Sequence, residues 1–266
     1  MLWIDTHCHL DAHEFGSESP QVAARAAAQG VAMIVVPAVE RANFAIVRDL
    51  AATSANASYA LGIHPIYVPQ ATEDDLIALR DAVALAMNDP RFVAIGEIGL
   101  DFFLPMLCEP AMRVKQEHFL REQLKIARDF DLPVLAHVRR SQDIVLKHAR
   151  QIRPHGGIAH AFNGSFQQAQ GYIDLGFKLG FGGAMTFTRA LQIRRMATDL
   201  PLDAIVLETD APDISPAWIH PGRNSPEELP RIGAVLAELR GLELADVAAQ
   251  TSANARAVLP RLPLME

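Results

Sequence analysis

Short apolar runs rich in β-branched residues recur eight times along this 266-residue chain, and they constrain its fold more than any other feature. Strands that are apolar throughout, with no polar alternation, are typical of a parallel sheet covered on both faces. We therefore predict strands at Leu2–Ile4, Val31–Val36, Tyr59–Ile63, Phe92–Ile95, Val134–Ala136, Gly157–Ala159, Phe177–Phe181 and Ala204–Leu207.

Stretches with helical periodicity separate these runs, as in Asp74–Met87, Lys115–Phe130, Gln142–Gln151 and Phe166–Leu175. Two more, Pro226–Arg240 and Ala245–Leu259, close the chain. Eight strands alternating with helices predict an α/β fold, a (β/α)8 TIM barrel, with a doubly wound open sheet as the alternative. The length fits a single domain over residues 1–266. Irregular segments at 102–113 and 211–224 are expected to overhang the C-terminal face of the barrel.

Composition and charge argue against several classes of protein, namely membrane proteins, disulfide-rich secreted proteins and proteins with extended basic nucleic-acid-binding surfaces. No apolar run is long enough to span a bilayer, and no secretory leader is recognisable, so we expect no membrane association. Two cysteines, Cys8 and Cys108, are too few to staple a domain of this size and fit a reducing cytoplasm. The net charge of −7 argues against an extended phosphate-neutralising surface, so any nucleic acid must be held locally.

Residues suited to binding metals follow six of the predicted strands. In a parallel barrel all strands open on one face at their carboxyl ends, so side chains from different strands converge there. These residues are His7 and His9 after the first strand, His64 after the third, Glu97 after the fourth, His137 after the fifth, His160 after the sixth and Asp210 after the eighth.

Four imidazoles and two carboxylates exceed what one tetrahedral ion takes, so we predict two divalent cations (magnesium, manganese or zinc) about 3.5–4 Å apart. The nitrogen-rich set suits zinc or manganese best. Glu97 is the expected bridge between the two cations. No obligate protein partner is evident from the sequence.

Other residues near the predicted strand ends have open roles. We expect His13, His118, His148 and His155 to be structural or solvent-facing, and His220 to be a solvated loop residue that alternatively touches substrate. Asp101 either holds a ligand histidine or caps the following loop. Arg140 is expected to pair with an acidic neighbour, and one of Phe102 and Phe103 to offer a stacking platform.

The combined motifs resemble those of the TatD-type deoxyribonucleases, metal-dependent hydrolases of the amidohydrolase superfamily. The matching segments, in order along nearly the whole chain, are Asp5–Asp11, Gly62–Pro65, Gly96–Phe102, His137–Arg139, His160–Phe162 and Glu208–Pro212. Related phosphotriesterases and dihydroorotases usually bridge their metals with a carboxylated lysine, whereas Glu97 occupies that place here.

The resemblance implies a role for each matching residue. His7, His9, Glu97 and Asp210 would hold one metal, and Glu97, His137 and His160 the other. His64 would line the substrate cavity and Arg139 would meet a phosphate. A hydroxide shared by the two cations would attack phosphorus, with Glu97 as bridge and Asp210 as proton shuttle. The expected substrate is DNA, single-stranded or accessible at an end.

The chain departs from the family pattern on the substrate side. Ile66 follows Pro65 where the family often has a histidine, Val138 stands where a serine or cysteine is frequent, and Ala161 stands where a cysteine is frequent. A small-molecule amidohydrolase of the lactonase or phosphotriesterase type, using the same dinuclear site, is the alternative. A metal-storing or interaction protein would require decay among the ligand positions, and all six are intact.

Overall fold

Eight parallel strands form one sheet in the order in which they occur along the chain. The computed structural model describes residues 1–263. The strands are β1 Trp3–Asp5, β2 Val31–Pro37, β3 Ala57–Leu61, β4 Phe92–Asp101, β5 Val134–Arg139, β6 Gly157–Ala159, β7 Phe177–Phe181 and β8 Ile205–Leu207. Each strand pairs in parallel with the next. This sequential order excludes the doubly wound alternative, in which the strand order reverses.

The first and last strands meet and nearly close the barrel. The backbone N–H of Thr6 donates to the carbonyl of Leu207 at 3.1 Å, and the Thr6 hydroxyl donates to the same oxygen at 3.0 Å. Because β1 and β8 lie side by side, residues at opposite ends of the chain share one face. The predicted (β/α)8 TIM barrel is therefore confirmed.

Helices surround the sheet. They are α1 Ser19–Ala28, α2 Phe44–Thr53, α3 Glu73–Ala86, α4 Pro110–Asp129, α5 Gln142–Ile152, α6 Phe166–Ile173, α7 Leu191–Asp199, α8 Leu229–Arg240 and α9 Leu244–Val258. Helix α4 begins five residues earlier than predicted, because Pro110 starts its first turn, where proline has no hydrogen bond to lose. Within residues 1–263, no helix is long and apolar enough to cross a membrane.

The barrel interior is a separate apolar cluster beneath the functional face. It combines inward residues of the strands, such as Leu135 of β5 and Ile158 of β6, with residues from the end of α9 and the segment after it, such as Val258. Side chains two positions apart on a strand share a face. His137 and His160 each lie two residues beyond one of these core residues. Their imidazoles therefore lie on the same strand faces as the apolar side chains that fill the barrel, but nearer its C-terminal end.

Strand β4 extends six residues past the end predicted from its apolar run. Gly99 pairs with His137 of β5, and a Cβ at position 99 would collide with the His137 carbonyl. Gly99 also has a φ of +155°, which disfavours other residues. The close approach that glycine permits keeps the two strands paired as far as Asp101 and Arg139. Glu97 consequently lies within β4 and not in the loop after it.

Candidate metal centre

The two histidines after β1 point at the same carboxylate oxygen. His7 Nε2 and His9 Nε2 lie 3.3 Å apart, and each lies 3.2 Å from Glu97 Oε2. Asp210 Oδ1, from the loop after β8, lies 3.6 Å from the first of these nitrogens and 3.7 Å from the second. The structure thus brings together all four residues predicted to hold the first cation.

A second group of imidazoles faces the other oxygen of the same carboxylate. His160 Nε2 lies 2.9 Å and His137 Nδ1 3.0 Å from Glu97 Oε1, and these two nitrogens are 3.4 Å apart. The His160 ring also stacks on the His7 ring, with centroids 4.0 Å apart. The two groups are therefore adjacent, and Glu97 is the residue that joins them.

Glu97 is buried, with 1% of its surface exposed. Burial alone would favour the neutral acid, but His64, His7 and His160 outweigh it and hold the Glu97 pKa well below its ordinary value. The carboxylate is therefore charged and offers one oxygen to each group. This is the arrangement a bridging ligand between two cations needs.

His64 also lies at the centre, with Nε2 3.4 Å from Glu97 Oε1. Its Nδ1 accepts a hydrogen bond from the backbone N–H of Ile66 at 3.1 Å. In the neutral ring Nε2 then carries the proton and is a donor, so it offers no lone pair to a cation. Burial lowers the His64 pKa to about 4, which keeps the ring neutral. These contacts suit the predicted substrate-side role of His64 better than a ligand role.

Spacing alone allows other groupings of the same side chains. Ligand atoms of three sets lie within 4.8 Å of one another, which is close enough to share a cation. The sets are His7, His9 and Glu97; His7, His160 and Asp210; and His64, Glu97 and His137. The predicted ligands thus lie together, and the donor chemistry of nitrogen with carboxylate oxygen fits zinc, manganese or a similar cation.

The pKa values of the histidines in the cluster are also consistent with a cation-binding site. Burial lowers the pKa of His7 to about 3, which leaves a neutral imidazole. Burial opposes the charge of His9 as well, but Glu97 and Asp210 raise its pKa to about 9. The pKa of His160 is likewise raised well above its ordinary value, chiefly by Glu97 acting against burial. Cations and protons therefore compete for the same nitrogen atoms.

Buried acidic residues face the outer ring nitrogens of two of the predicted ligand histidines. Asp101 Oδ2 lies 3.2 Å from His137 Nε2, within hydrogen-bond distance. Glu208 Oε1 lies 3.7 Å from His160 Nδ1, beyond hydrogen-bond distance, and accepts a hydrogen bond from the backbone N–H of Ala161. Partners of this kind fix the orientation of metal-binding imidazoles and raise their basicity.

Asp5 has a structural role beside the centre that was not predicted from the sequence. It is fully buried and accepts hydrogen bonds from the Thr209 N–H at 3.0 Å, the Thr209 hydroxyl at 2.6 Å and the His7 N–H at 3.3 Å. It therefore ties the loop after β1 to the loop after β8. An acidic residue at the end of an apolar strand, directly before the histidine pair, was the available signal.

The two arginines after β5 differ from expectation. Among residues 1–263, no carboxylate lies within 4 Å of Arg140, so the prediction that it pairs with an acid is wrong. Arg139 is the one near an acid, 3.8 Å from Asp101. Both guanidinium groups lie over the Phe103 ring, 3.8 Å and 4.6 Å from its centroid. Phe103 is 41% exposed while Phe102 is buried, so one of the pair is core and one is at the surface, as expected.

The remaining histidines lie away from the centre. His13 is exposed beside Glu14, and three others pair with acids: His118 with Glu73, His148 with Glu117 and His155 with Asp131. His148 is buried, so its role is structural. His220 is exposed and lines a separate cavity beside the main one.

The centre lies at the floor of an open cavity of about 1110 Å³ on the C-terminal face of the barrel. Its walls include His64, Arg139 and Phe103. The three positions that depart from the family pattern, Ile66, Val138 and Ala161, line it as well. The departures therefore lie where a substrate would contact the protein, and none is among the predicted ligands.

Comparison with known proteins agrees with this site. The chain matches the family described as TatD related DNase over residues 4–260. It is 41% identical over 262 residues to the uncharacterized metal-dependent hydrolase YjjV of Escherichia coli, covering 98% of both chains. The crystal structure of YjjV, a TatD homologue, has a TM-score of 0.90 at 38% identity and covers 97% of this chain and 98% of the other.

A nuclease is also among the relatives. The chain is 32% identical over 263 residues to the 3'-5' ssDNA/RNA exonuclease TatD of Salmonella typhimurium, covering 95% of this chain and 97% of that protein. The family match spans nearly the whole sequence, and the residues that carried the resemblance converge in one cavity. The chain is a metal-dependent hydrolase and belongs to the TatD-related DNase family.

Proposed function

We propose that this protein is a deoxyribonuclease that hydrolyses phosphodiester bonds with two divalent cations. One observation supports this above all: the two oxygens of buried Glu97 face separate groups of ligand-type side chains. A carboxylate shared in this way suits a pair of cations better than a single one. The proposed cations are magnesium, manganese or zinc.

The proposed division of ligands follows those contacts. His7, His9, Glu97 and Asp210 would hold the first cation, and Glu97, His137 and His160 the second. Divalent cations supply Lewis acidity, which lowers the pKa of a water and neutralises charge on a phosphate. Asp101 would orient the His137 ring through its contact with Nε2, and Glu208 places a carboxylate 3.7 Å from His160 Nδ1.

Asp210 is the proposed proton acceptor. Its carboxylate lies beside His7 and His9, and burial raises its pKa to about 6. A carboxylate with a pKa near neutrality can take a proton from water and return it to the leaving oxygen. Glu97, with a pKa well below its ordinary value, is a poor proton acceptor and is proposed to act as the bridge.

The proposed substrate is single-stranded or end-accessible DNA. Arg139 lines the cavity and presents a guanidinium fork suited to a phosphate, with its plane supported by the Phe103 ring. His64 Nε2 is a donor placed near Glu97, where it can bind a phosphate oxygen. The name of the Salmonella relative, an exonuclease of single-stranded DNA and RNA, supports a nucleic-acid substrate. We propose that residues 1–266 act as one domain in the cytoplasm.

A parallel hydrolysis assay tests the proposal. Labelled single-stranded DNA, duplex DNA, single-stranded RNA, a lactone and a phosphotriester are each incubated with protein loaded with magnesium, manganese or zinc. We expect fastest turnover of single-stranded DNA and complete loss with EDTA. Glu97→Gln protein is the matched control for contaminating nucleases. Selective turnover of the lactone or the phosphotriester would favour the small-molecule amidohydrolase and overturn the nuclease.

A further inference from the structure

A second cavity of about 610 Å³ adjoins the metal centre and contains none of the residues assigned to it. It lies between the segment after β7, which includes Phe187 and Arg189, and the loop after β8, which includes Ser215 and His220. Its volume falls within the range of about 300–1,000 Å³ that is usual for small-molecule sites.

The two cavities share a wall. Five residues line both: Ala184, Ile193, Pro212, Asp213 and Ile214. Three of them follow Asp210 within four residues along the chain, so the loop that carries Asp210 also forms part of the second cavity. The second cavity is therefore a neighbour of the cavity that holds the centre, on the side of the loop after β8.

The chemistry of the second cavity favours a flat heterocycle. The half-buried Phe187 ring meets the His220 ring edge-on, with centroids 5.4 Å apart at 84°. His220 Nδ1 is 3.3 Å from the Ser215 hydroxyl, which leaves Nε2 for a ligand. The exposed Arg189 guanidinium lies 5.6 Å from the Phe187 centroid. An aromatic face, a hydrogen-bonding imidazole and a nearby cation are what a nucleobase and its phosphate require.

We propose that this second cavity binds the nucleobase next to the scissile phosphodiester, stacked on Phe187, with Arg189 near the adjoining phosphate. The proposal rests on the proposed nuclease function and adds a base-binding subsite to it. Stacking tolerates any base, because every base has a π-face, so the subsite would add affinity with little sequence preference.

Substrate pairs that differ by one base test the subsite. A trinucleotide and its analogue with an abasic site next to the cleaved bond are compared by KM and kcat. With wild-type protein, we expect the abasic analogue to have a KM about tenfold higher, since it lacks the base that would stack on Phe187. In Phe187→Ala the KM ratio should fall close to one, and Phe187→Trp should restore it.

Phe166→Ala is the matched control. Phe166 is also a surface phenylalanine, 39% exposed, with the Arg195 guanidinium 5.4 Å from its ring, but it lies at the start of α6 outside both cavities. This variant should keep the tenfold ratio. A Phe187→Ala variant that also keeps it, or that weakens both substrates equally, would overturn the subsite while the nuclease stands. Failure of wild-type protein to cleave either oligonucleotide would overturn both proposals.

Discussion

Asp101 contacts His137 with one carboxylate oxygen and the loop after β4 with the other. Its Oδ2 lies 3.2 Å from His137 Nε2, and its Oδ1 accepts hydrogen bonds from the N–H groups of Phe103 and Leu104 at 2.8 Å and 3.1 Å. The sequence left two alternatives for Asp101, holding a ligand or capping a loop. The structure shows both contacts, because one oxygen faces the predicted ligand His137 and the other caps the loop.

Asp101→Asn separates these two functions. The amide oxygen can keep both loop hydrogen bonds, whereas the NH2 group cannot accept a hydrogen bond from His137 Nε2. We expect metal affinity to fall about 10–100-fold, as is usual when the partner of a ligand histidine is lost. The stability of the folded state should change little. Isothermal titration with zinc or manganese measures the metal affinity, and thermal unfolding of metal-free protein measures the stability.

Asp101→Ala is the companion variant, because it removes the loop contacts as well. We expect it to lower both metal affinity and the melting temperature. If Asp101→Asn binds metal as tightly as wild-type protein, the contact with His137 has no role in ligand positioning.

The strand ends could be predicted from the sequence because apolar runs mark them, and barrel geometry then brings the ligand residues together. The end of β4 could not be predicted, because Gly96, Glu97 and Gly99 interrupt its apolar pattern. What extends the strand is pairing with β5, which is adjacent in the barrel but distant along the chain. Local pattern carries no information on such pairing.

The residues that contact the predicted ligands were harder to predict from the sequence than the ligands themselves. Asp5 acts through Thr209, 204 residues away along the chain, and only closure of the barrel brings them together. The prediction that Arg140 pairs with an acid was also wrong, because β5 ends at Arg139 and the backbone turns at Arg140, where φ is +57°. Partners fixed by loop geometry therefore need the structure.

Asp210→Asn tests the proton-transfer role. Asparagine retains an oxygen that can bind a cation, but it cannot accept a proton at neutral pH. We expect at least part of the metal content to remain and turnover to fall about 10²–10⁴-fold, the usual contribution of general acid–base catalysis. Metal analysis by mass spectrometry and steady-state kinetics on single-stranded DNA provide the two readouts. Near-normal turnover would reduce Asp210 to a plain ligand.

Asp5→Ala should destabilise the barrel. The change leaves two backbone N–H groups and one hydroxyl without their buried acceptor, and we expect a loss of about 3 kcal/mol in the free energy of unfolding. Asp5→Asn should lose much less, because its oxygen still accepts from the His7 and Thr209 N–H groups. Urea denaturation of metal-free protein measures both. Equal losses in the two variants would contradict a hydrogen-bonding role.

The pH dependence of these variants has a defined sign. Burial raises the Asp5 pKa from its ordinary value of 3.8 to about 8. The folded state therefore binds a proton that the unfolded state has released, and wild-type protein loses stability as the pH rises from about 4 to about 8. Asp5→Asn cannot ionise, so the stability difference between this variant and wild type should shift in favour of the variant as the pH rises across that window. A constant difference from pH 5 to pH 8 would contradict the raised pKa.

Metal binding should release protons. His9, with a pKa raised to about 9 by Glu97 and Asp210, is protonated at neutral pH in the metal-free protein and must lose that proton to bind a cation. For one displaced proton, affinity should rise about tenfold per pH unit up to about pH 9. Titration calorimetry in two buffers of different ionisation heat counts the protons. Constant affinity from pH 6 to pH 8 would mean that the nitrogen is already free.

Arg139 and Arg140 offer a matched pair for testing phosphate recognition. Both stack on Phe103, so replacing either with alanine removes one cation and one stacking contact from the same ring. Arg139 also lies 3.8 Å from Asp101, which aims its guanidinium toward the ligand histidines. We expect Arg139→Ala to raise the KM for DNA about tenfold, with little effect on an uncharged ester, and Arg140→Ala to have a smaller effect. If the two variants raise the KM for DNA equally, the two arginines provide only diffuse positive charge, and the assignment of a phosphate to Arg139 fails.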